Sequence, residues 1–282
     1  MGLLQAKGLD GVMSERRFRF PKDIPMDEYP KPETYLEEAR RLTEEAAKAG
    51  MELRVMGPIA LHFYFPEHVD LYRRMERLGE RVFTDIDYAS YGKHRGKMVP
   101  FFESQGYSLE KRAAMIAGGT RLIFFGDRVP MIDVFFDRLD YNHAIEYKGR
   151  LQLDAHCVSL TDLLLQKLQI VQINDKDLKD GMLLLLAARI GETDDGTINA
   201  AYVSRLMAED WGFYHTSTTN LGKMQAAVDA VPALDDSQRT RIREQAALLL
   251  KYIEDAPKSK GWQNRAKTGT TKPWYKEVAD WM

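Results

Sequence analysis

Carboxylates inside short β-prone runs are the feature that most restricts how this chain folds. Asp85 and Asp87 lie in the run TDIDY of residues 84–88, and Asp133 lies in the run MIDVF of residues 131–135. Alternate residues of a strand point to one face, so Asp85 and Asp87 are expected to share a face. Neighbouring buried carboxylates repel unless they gain a proton, a basic partner or a bound cation. A third carboxylate from another strand favours the cation, and an oxygen-only cluster suits Mg²⁺.

Composition excludes several classes of function. The 282 residues include 40 basic and 42 acidic ones, and a net charge of -2 gives no overall attraction to nucleic acid or to an anionic membrane. Cys157 is the single cysteine, so an internal disulfide and a cysteine-based zinc site are both excluded. The longest apolar run, residues 182–188, is far shorter than the roughly 20 residues that span a bilayer. We therefore expect a cytoplasmic protein without a membrane partner.

Helical and β-type patterns alternate over the first half of the chain. Residues 32–48 repeat apolar residues at three- and four-residue spacing and predict a helix that ends before Gly50. Residues 120–125 and 129–136 are β-rich runs joined by a Gly-Asp-Arg turn, which predicts a hairpin that carries Asp133. The other predicted elements are strands at residues 51–56, 81–88, 143–147 and 151–155, a helix at residues 67–78, and an amphipathic region at residues 99–117.

After Val158 the β pattern gives way to helical periodicity, and Ser159 is placed to cap the first helix. The predicted helices cover residues 160–172, 176–190, 198–209, 221–231 and 235–254. The expected fold class is therefore α+β, with a mixed sheet and flanking helices followed by an all-α helical domain. The expected divisions are a lead-in segment (1–31), an α/β domain (32–158), a helical domain (159–256) and a basic aromatic tail (257–282).

In their order along the chain, these elements resemble the nucleotidyltransferase superfamily that includes DNA polymerase beta, aminoglycoside nucleotidyltransferases and the AbiEii-type toxin enzymes. The resemblance covers roughly residues 50–190. Its pieces are Gly57 between a strand and a helix, the pair Asp85 and Asp87, Asp133 on the hairpin, and the helical lysines Lys167 and Lys176.

The resemblance implies a fold, a reaction and a set of site residues. Asp85, Asp87 and Asp133 would be catalytic and would hold Mg²⁺, or Mn²⁺ in its place. The nucleotide-binding residues would be Gly57, Pro58, Thr84, Lys167 and Lys176. The implied reaction transfers a nucleoside monophosphate from a nucleoside triphosphate (NTP) to a hydroxyl of a small molecule, an RNA or a protein, with release of pyrophosphate.

Two further interpretations stay open. The fold could serve as a non-catalytic nucleotide-sensing or interaction module, since Pro58 lacks a backbone donor that would cradle a phosphate. The tail interleaves basic residues with Trp262, Trp274, Tyr275 and Trp281, and it either grips single-stranded nucleic acid or packs on its own domain. The nucleotide, the acceptor and the oligomeric state are open at this level.

Overall fold

A five-stranded mixed sheet forms the centre of the molecule. The structure is a computed structural model that describes residues 19–77, 79 and 81–278. The strands of the central sheet are β1 (Leu53–Val55), β2 (Ile86–Ser90), β3 (Tyr107–Leu109), β4 (Arg121–Gly126) and β5 (Met131–Phe136). They lie in the order β1-β2-β5-β4-β3.

Strand pairing places two of the acidic residues side by side. β2 and β5 are parallel, and Asp87 pairs with Asp133 in their register. The other neighbouring strands of this sheet are antiparallel, including the hairpin of β4 and β5. Because facing residues on adjacent strands point to the same side of a sheet, the register brings these two carboxylates together.

Among the described residues up to Val158, five α-helices accompany the sheet. They are α1 (Pro32–Lys48), α2 (Gly57–Tyr64), α3 (Val69–Arg74), α4 (Arg95–Ser104) and α5 (Lys111–Ala117). On α1 the buried apolar residues Tyr35, Ala39, Leu42 and Ala46 recur every three or four positions, which makes one face of the helix part of the core. α5 is different, because none of its residues is fully buried.

The second half of the chain is mainly helical. Its helices are α6 (Leu160–Leu168), α7 (Asp175–Ala187), α8 (Ala200–Glu209), α9 (Trp211–Ala227), α10 (Asp236–Asp255) and α11 (Lys260–Ala266). Two small ladders complete the fold, an antiparallel pair of β6 (Arg138–Asp140) and β7 (Ala144–Glu146) and a parallel pair of β8 (Arg189–Gly191) and β9 (Thr197–Asn199). Buried apolar side chains from both halves form one continuous core cluster. The domain boundaries stay predictions.

Several sequence predictions are confirmed. The α+β class is confirmed, with a mixed sheet and a helical region after it. The helix at residues 32–48, the hairpin that carries Asp133 and the strand near residue 145 are present. The Ser159 side chain accepts a hydrogen bond from the Asp162 amide and caps α6 as expected.

Other elements differ from their prediction for identifiable reasons. The amphipathic region at residues 99–117 is divided by β3, a three-residue edge strand that is too short to leave a periodic signature. Residues 151–155 form turns rather than a strand. The Arg54 Nε atom donates hydrogen bonds of 2.7 Å and 2.6 Å to the backbone carbonyls of Leu151 and Asp154, and these bonds stabilise the turns. α3 is shorter than the predicted helix at residues 67–78, whose last residue lies outside the described residues.

Two differences fall in the helical half. α9 begins ten residues before the predicted start, in a stretch of aromatic and β-branched residues that have low helix propensity. The stretch is helical because one of its faces is buried, and this packing outweighs the low propensity. The β8 and β9 ladder adds a short strand pair that the helical pattern did not indicate.

The described part of the tail packs on the helical half. The Trp274 indole donates a hydrogen bond of 3.2 Å to the Thr216 hydroxyl. The Trp262 ring meets the Tyr214 ring edge-on at 5.1 Å between centroids. These rings are therefore engaged with the protein rather than presented to bases, whereas Trp281 lies outside the described residues.

We expect Trp274→Ala to destabilise the fold, because it removes a hydrogen bond and aromatic contacts that together contribute on the order of 1–2 kcal/mol. For a chain of this size that corresponds to a melting temperature lower by about 2–4 °C. Thermal unfolding followed by circular dichroism measures the shift. Lys272→Ala, at an exposed position of the same segment, is the matched control. An unchanged melting temperature for Trp274→Ala would mean that the tail does not pack as described.

Candidate active site

A cavity of about 430 Å³ opens where β1 ends and β2 begins. The acidic residues Asp85 and Asp87 line it together with Gly57 and Thr84. The predicted lysines, Pro58 and two arginines also line it: Lys167, Lys176, Pro58, Arg77 and Arg121. The structure therefore gathers seven of the eight sequence-predicted site residues at one cavity, and only Asp133 is not among its lining residues.

The three carboxylates form one electrostatic unit. Burial raises the pKa of Asp85, against the opposing effects of the Thr84 hydrogen bond and the Lys176 charge. Burial raises the pKa of Asp87 far above its ordinary range, and the charges of Asp85 and Asp133 raise it further. Asp87 is therefore the member whose charged form is disfavoured both by burial and by the neighbouring carboxylates.

A left-handed turn brings the backbone close to Asp87. Gly57 has a φ of +63°, and a Cβ built on it would lie 3.4 Å from the Asp87 Oδ2 atom. The Met56 amide donates a 2.8 Å hydrogen bond to the Asp87 carbonyl, which fixes this turn against β2. Glycine is required by the backbone conformation, and α2 starts at this point, so its amino end faces the acidic cluster.

Pro58 occupies the first turn of α2. A proline costs little there, because the amide it lacks has no partner within the helix. Its carbonyl is bonded to the His62 imidazole at 2.9 Å. The turn is therefore well supported, but it offers one backbone donor fewer to an anion in the cavity.

Thr84 orients the first acidic side chain. Its hydroxyl donates a 2.9 Å hydrogen bond to the Asp85 Oδ1 atom. Asp85 itself lies one residue before β2, so the predicted acidic strand begins later than expected, at Ile86. The role assigned to Thr84 as a nucleotide-binding residue stays a prediction, and the contact shown is with the carboxylate.

Asp133 is held by an arginine. The Arg121 Nε atom lies 2.8 Å and 2.9 Å from the two oxygens of the Asp133 carboxylate, and the Arg121 Nη2 atom also donates to Oδ2. Asp133 is only 1% exposed, and burial raises its pKa to about 6 even though Arg121 opposes the rise. Both oxygens of Asp133 thus accept hydrogen bonds from Arg121, and the assignment of Asp133 as a metal ligand stays a prediction.

The remaining pair fits a single hard cation. Mg²⁺ is commonly held by one or two carboxylates, with water and substrate phosphates in its other positions. Asp85 and Asp87 supply such a pair at the cavity wall. Over residues 19–77, 79 and 81–278, no three acidic, histidine or cysteine side chains are grouped as a ready-made metal site. The residues therefore suit an ion that arrives with phosphate oxygens better than one bound by protein alone.

Lys167 belongs to a buried ion network. Its ammonium lies 2.8 Å from carboxylate oxygens of both Asp177 and Asp180. Asp180 also accepts hydrogen bonds from Arg77 at 2.6 Å and from Tyr72 at 2.5 Å. Burial alone would raise the pKa of Asp180, but Lys167 and Arg77 outweigh burial and hold that pKa at about 2. The charge of Lys167 is thus largely committed to the protein itself.

Lys176 is placed differently. Its residue is exposed at the start of α7, it lines the cavity, and its charge lowers the pKa of Asp85. Within the described parts of the chain, no carboxylate lies within ion-pair distance of its ammonium. Of the two predicted lysines, Lys176 is therefore the one available to a phosphate.

Sequence reasoning missed the two arginines. Arg121 sits on β4, two residues before Ile123, which faces Asp133 across the hairpin. The hairpin turn gives this register, so the diagonal pair of Arg121 and Asp133 was accessible from the sequence. Arg77 follows α3 in an irregular segment, and no local pattern marks it as the buried partner of Asp180.

Comparison with known proteins gives a limited result. No family model matches the chain, and no curated protein of similar sequence was found. Among solved structures, the chain is similar to the antibiotic-resistance factor ANT(2'')-Ia, an aminoglycoside nucleotidyltransferase. The two share 15% identity, with a TM-score of 0.36, and the match covers 62% of this chain and 94% of that chain. A likeness of this size establishes neither family membership nor activity.

No helix in the described residues combines the length and apolar character needed to cross a membrane.

We expect Asp87→Asn to stabilise the metal-free protein at neutral pH. A carboxyl whose folded pKa is raised stabilises the fold fully below its unfolded pKa of about 3.9, and this contribution is lost as the pH rises through the folded value. The metal-free wild type should therefore lose stability between about pH 4 and at least pH 6, the value to which the pKa of Asp133 is raised. In Asp87→Asn this slope should be shallower.

The measurement is the melting temperature in EDTA across pH 4–8. The exposed loop residue Asp195 provides the matched control as Asp195→Asn. A variant that follows the wild-type curve would contradict the proposed charge repulsion.

Substitutions of the two lysines should differ in their effect on the free energy of unfolding. Lys167→Met leaves two buried carboxylates short of a partner, and breaking a buried ion pair costs about 3–5 kcal/mol. Lys176→Met, at an exposed position, should change the free energy of unfolding by less than about 0.5 kcal/mol. Urea denaturation compares them, and equal losses in both variants would contradict the distinction.

Proposed function

We propose that this protein is a Mg²⁺-dependent nucleotidyltransferase that transfers a nucleoside monophosphate from an NTP to a hydroxyl acceptor. The observation that carries the proposal is the close grouping of Asp85, Asp87 and the Gly57 turn at one cavity. Mn²⁺ is the expected substitute ion.

The cavity suits a triphosphate attached to a compact organic group. Its volume of about 430 Å³ lies within the range of ordinary ligand sites. Lys176 supplies a point charge for phosphate oxygens, whereas Arg77 and Lys167 shape the wall through their bonds to Asp180. Without a cation, Asp85 and Asp87 offer a triphosphate no positive charge, and their raised pKa values show that their charged forms are disfavoured, so the nucleotide is expected to bind together with its cation.

The chemistry is an in-line displacement at phosphorus. The acceptor hydroxyl oxygen forms a bond to the α-phosphorus, the bond between that phosphorus and the bridging oxygen to the β-phosphate breaks, and pyrophosphate leaves. A Mg²⁺ ion bound by Asp85 and Asp87 supplies charge neutralisation for the phosphate oxygens. Thr84 orients Asp85 for this task, and Gly57 keeps the backbone close to Asp87.

The hydroxyl proton needs a carboxylate acceptor. Burial raises the pKa of Asp133 to about 6 while Arg121 is paired with it, and departure of Arg121 would raise that pKa further, so that Asp133 would take up a proton at neutral pH. Its oxygens are occupied by Arg121, which also lines the cavity. A bound triphosphate offers Arg121 a second anionic partner, and Asp133 can take the proton once Arg121 has turned toward it.

The same ion pair supports a second candidate function. If Arg121 stays on Asp133 after the nucleotide binds, the site retains nucleotide but lacks its base. The protein would then be a non-catalytic nucleotide-sensing module. The pairing of Arg121 with Asp133 is the specific observation in its favour.

Nucleotide binding and transfer are tested separately. We expect one or more of the four NTPs to raise the melting temperature with Mg²⁺, because a ligand that binds only the folded state stabilises it. With α-labelled NTP, label should move to the hydroxyl acceptor in a cell extract, and pyrophosphate should be released. The double variant with Asp85→Asn and Asp87→Asn should lose several kcal/mol of transition-state stabilisation. The rate of nucleotidyl transfer should therefore fall by roughly 10²–10³-fold.

Lys176→Met should weaken NTP binding by about tenfold through the loss of one charge-assisted contact. The control is Lys272→Met, at an exposed position of the tail. Transfer that survives the double aspartate change would refute the assigned site. Mg²⁺-dependent binding without any transfer would favour the sensing module.

A further inference from the structure

A second cavity, of about 580 Å³, lies beside the first. It is lined by α5, by the face of β4 and β5 that carries Ile123, and by residues 276–278 of the tail. Four residues line both cavities, namely Arg121, Phe135, Tyr141 and Val278. The two spaces therefore meet at a shared wall, close to the acidic cluster.

The shared wall is built from flat groups. The Arg121 guanidinium lies over the Phe135 ring at 5.1 Å from its centroid, and the Tyr141 ring meets Phe135 at 5.8 Å and 72°. A ligand seated in the second cavity would place one end against these groups. That end is the one nearest to the first cavity, because the same groups line both spaces.

The interior of the second cavity is mainly apolar. Ile123, Phe125 and Met131 of the sheet contribute to it, and Ile116 of α5 lies at its mouth while 63% exposed. Phe125 and Met131 are buried at the base of this space, whereas Ile116 leaves an apolar side chain open to solvent beside it, and a concave apolar surface of this kind is typical of a ligand site.

Charges at the rim of the second cavity are balanced. The basic side chains are Arg112, Arg138 and Lys276, and the acidic ones are Glu110, Asp140 and Glu277; a fourth basic residue, Arg121 of the shared wall, is paired with Asp133. Asp140 is paired with Arg138 at 3.3 Å and with Lys276 at 3.0 Å. A polyanion such as RNA would find no surplus of positive charge there, and a polycation would find no surplus of negative charge.

We propose that the second cavity binds the acceptor, and that the acceptor is a small, uncharged molecule with an apolar, ring-containing body and a hydroxyl directed at the shared wall. This inference rests on the proposed nucleotidyl transfer. Of the three acceptor classes considered, a small molecule, an RNA or a protein, it selects the small molecule. The oxygen of that hydroxyl forms the new bond to phosphorus, its proton passes to a carboxylate of the acidic cluster, and pyrophosphate leaves.

The test uses the full chain and 2-naphthol, a neutral two-ring alcohol whose fluorescence reports binding. Ile116→Glu puts a charge at the mouth of the cavity, and Ala113→Trp fills its α5 side. The matched control is Met115→Glu, on the same helix, where the side chain is 86% exposed and is not part of the lining. Both cavity variants should weaken 2-naphthol binding by about tenfold, and the control by less than about twofold.

Two further measurements distinguish failure of acceptor binding from failure of nucleotide binding. The melting-temperature shift with Mg²⁺ and NTP should be unchanged in Ile116→Glu and Ala113→Trp, and it alone tests nucleotide binding. A saturating concentration of Mg²⁺ and NTP should leave 2-naphthol bound, because the two ligands occupy different cavities. Equal 2-naphthol affinity in wild type and both cavity variants would overturn the inference, and so would displacement of 2-naphthol by the nucleotide.

Discussion

Repulsion among carboxylates at the β2 and β5 pair is the constraint on which the site depends. The parallel register sets Asp87 beside Asp133, and Asp85 arrives on the chain just before β2. Burial deprives these groups of water, and their raised pKa values record the cost. Arg121 neutralises one member, and the proposed Mg²⁺ ion would neutralise the other two.

A second set of buried charges gives the cavity its opposite wall. Lys167 on α6 forms ion pairs with Asp177 and Asp180 on α7, and Arg77, which follows α3, forms an ion pair with the same Asp180. Such networks are costly to desolvate and costly to break once formed. The network therefore ties α6 to α7 and ties α7 to the segment after α3, and the exposed Lys176 at the start of α7 lines the same cavity as Asp85.

The tail links the helical half to the region where the two cavities meet. Trp274 is anchored on Thr216 of α9, and two residues later the Lys276 amide donates to the Asn142 carbonyl at 3.0 Å. This path delivers Val278 to the wall that both cavities share. A segment whose basic and aromatic composition invites a nucleic-acid interpretation thus serves, in its described part, as a structural element of the site.

By itself the sequence determined the elements whose signals are local. Periodicity predicted α1, a short turn between β-rich runs predicted the hairpin, and alternation placed Asp85 and Asp87 on one side of the chain. Only the tertiary structure decided that Arg121 forms an ion pair with Asp133 and that β3 pairs with β4 at the sheet edge. It also decided that Lys167 is held in a buried ion pair, whereas Lys176 lines the cavity without one in the described part of the chain. Charge partners and edge pairing join residues distant in sequence, and the free energy of a buried charge depends on which groups the fold brings within a few ångströms of it.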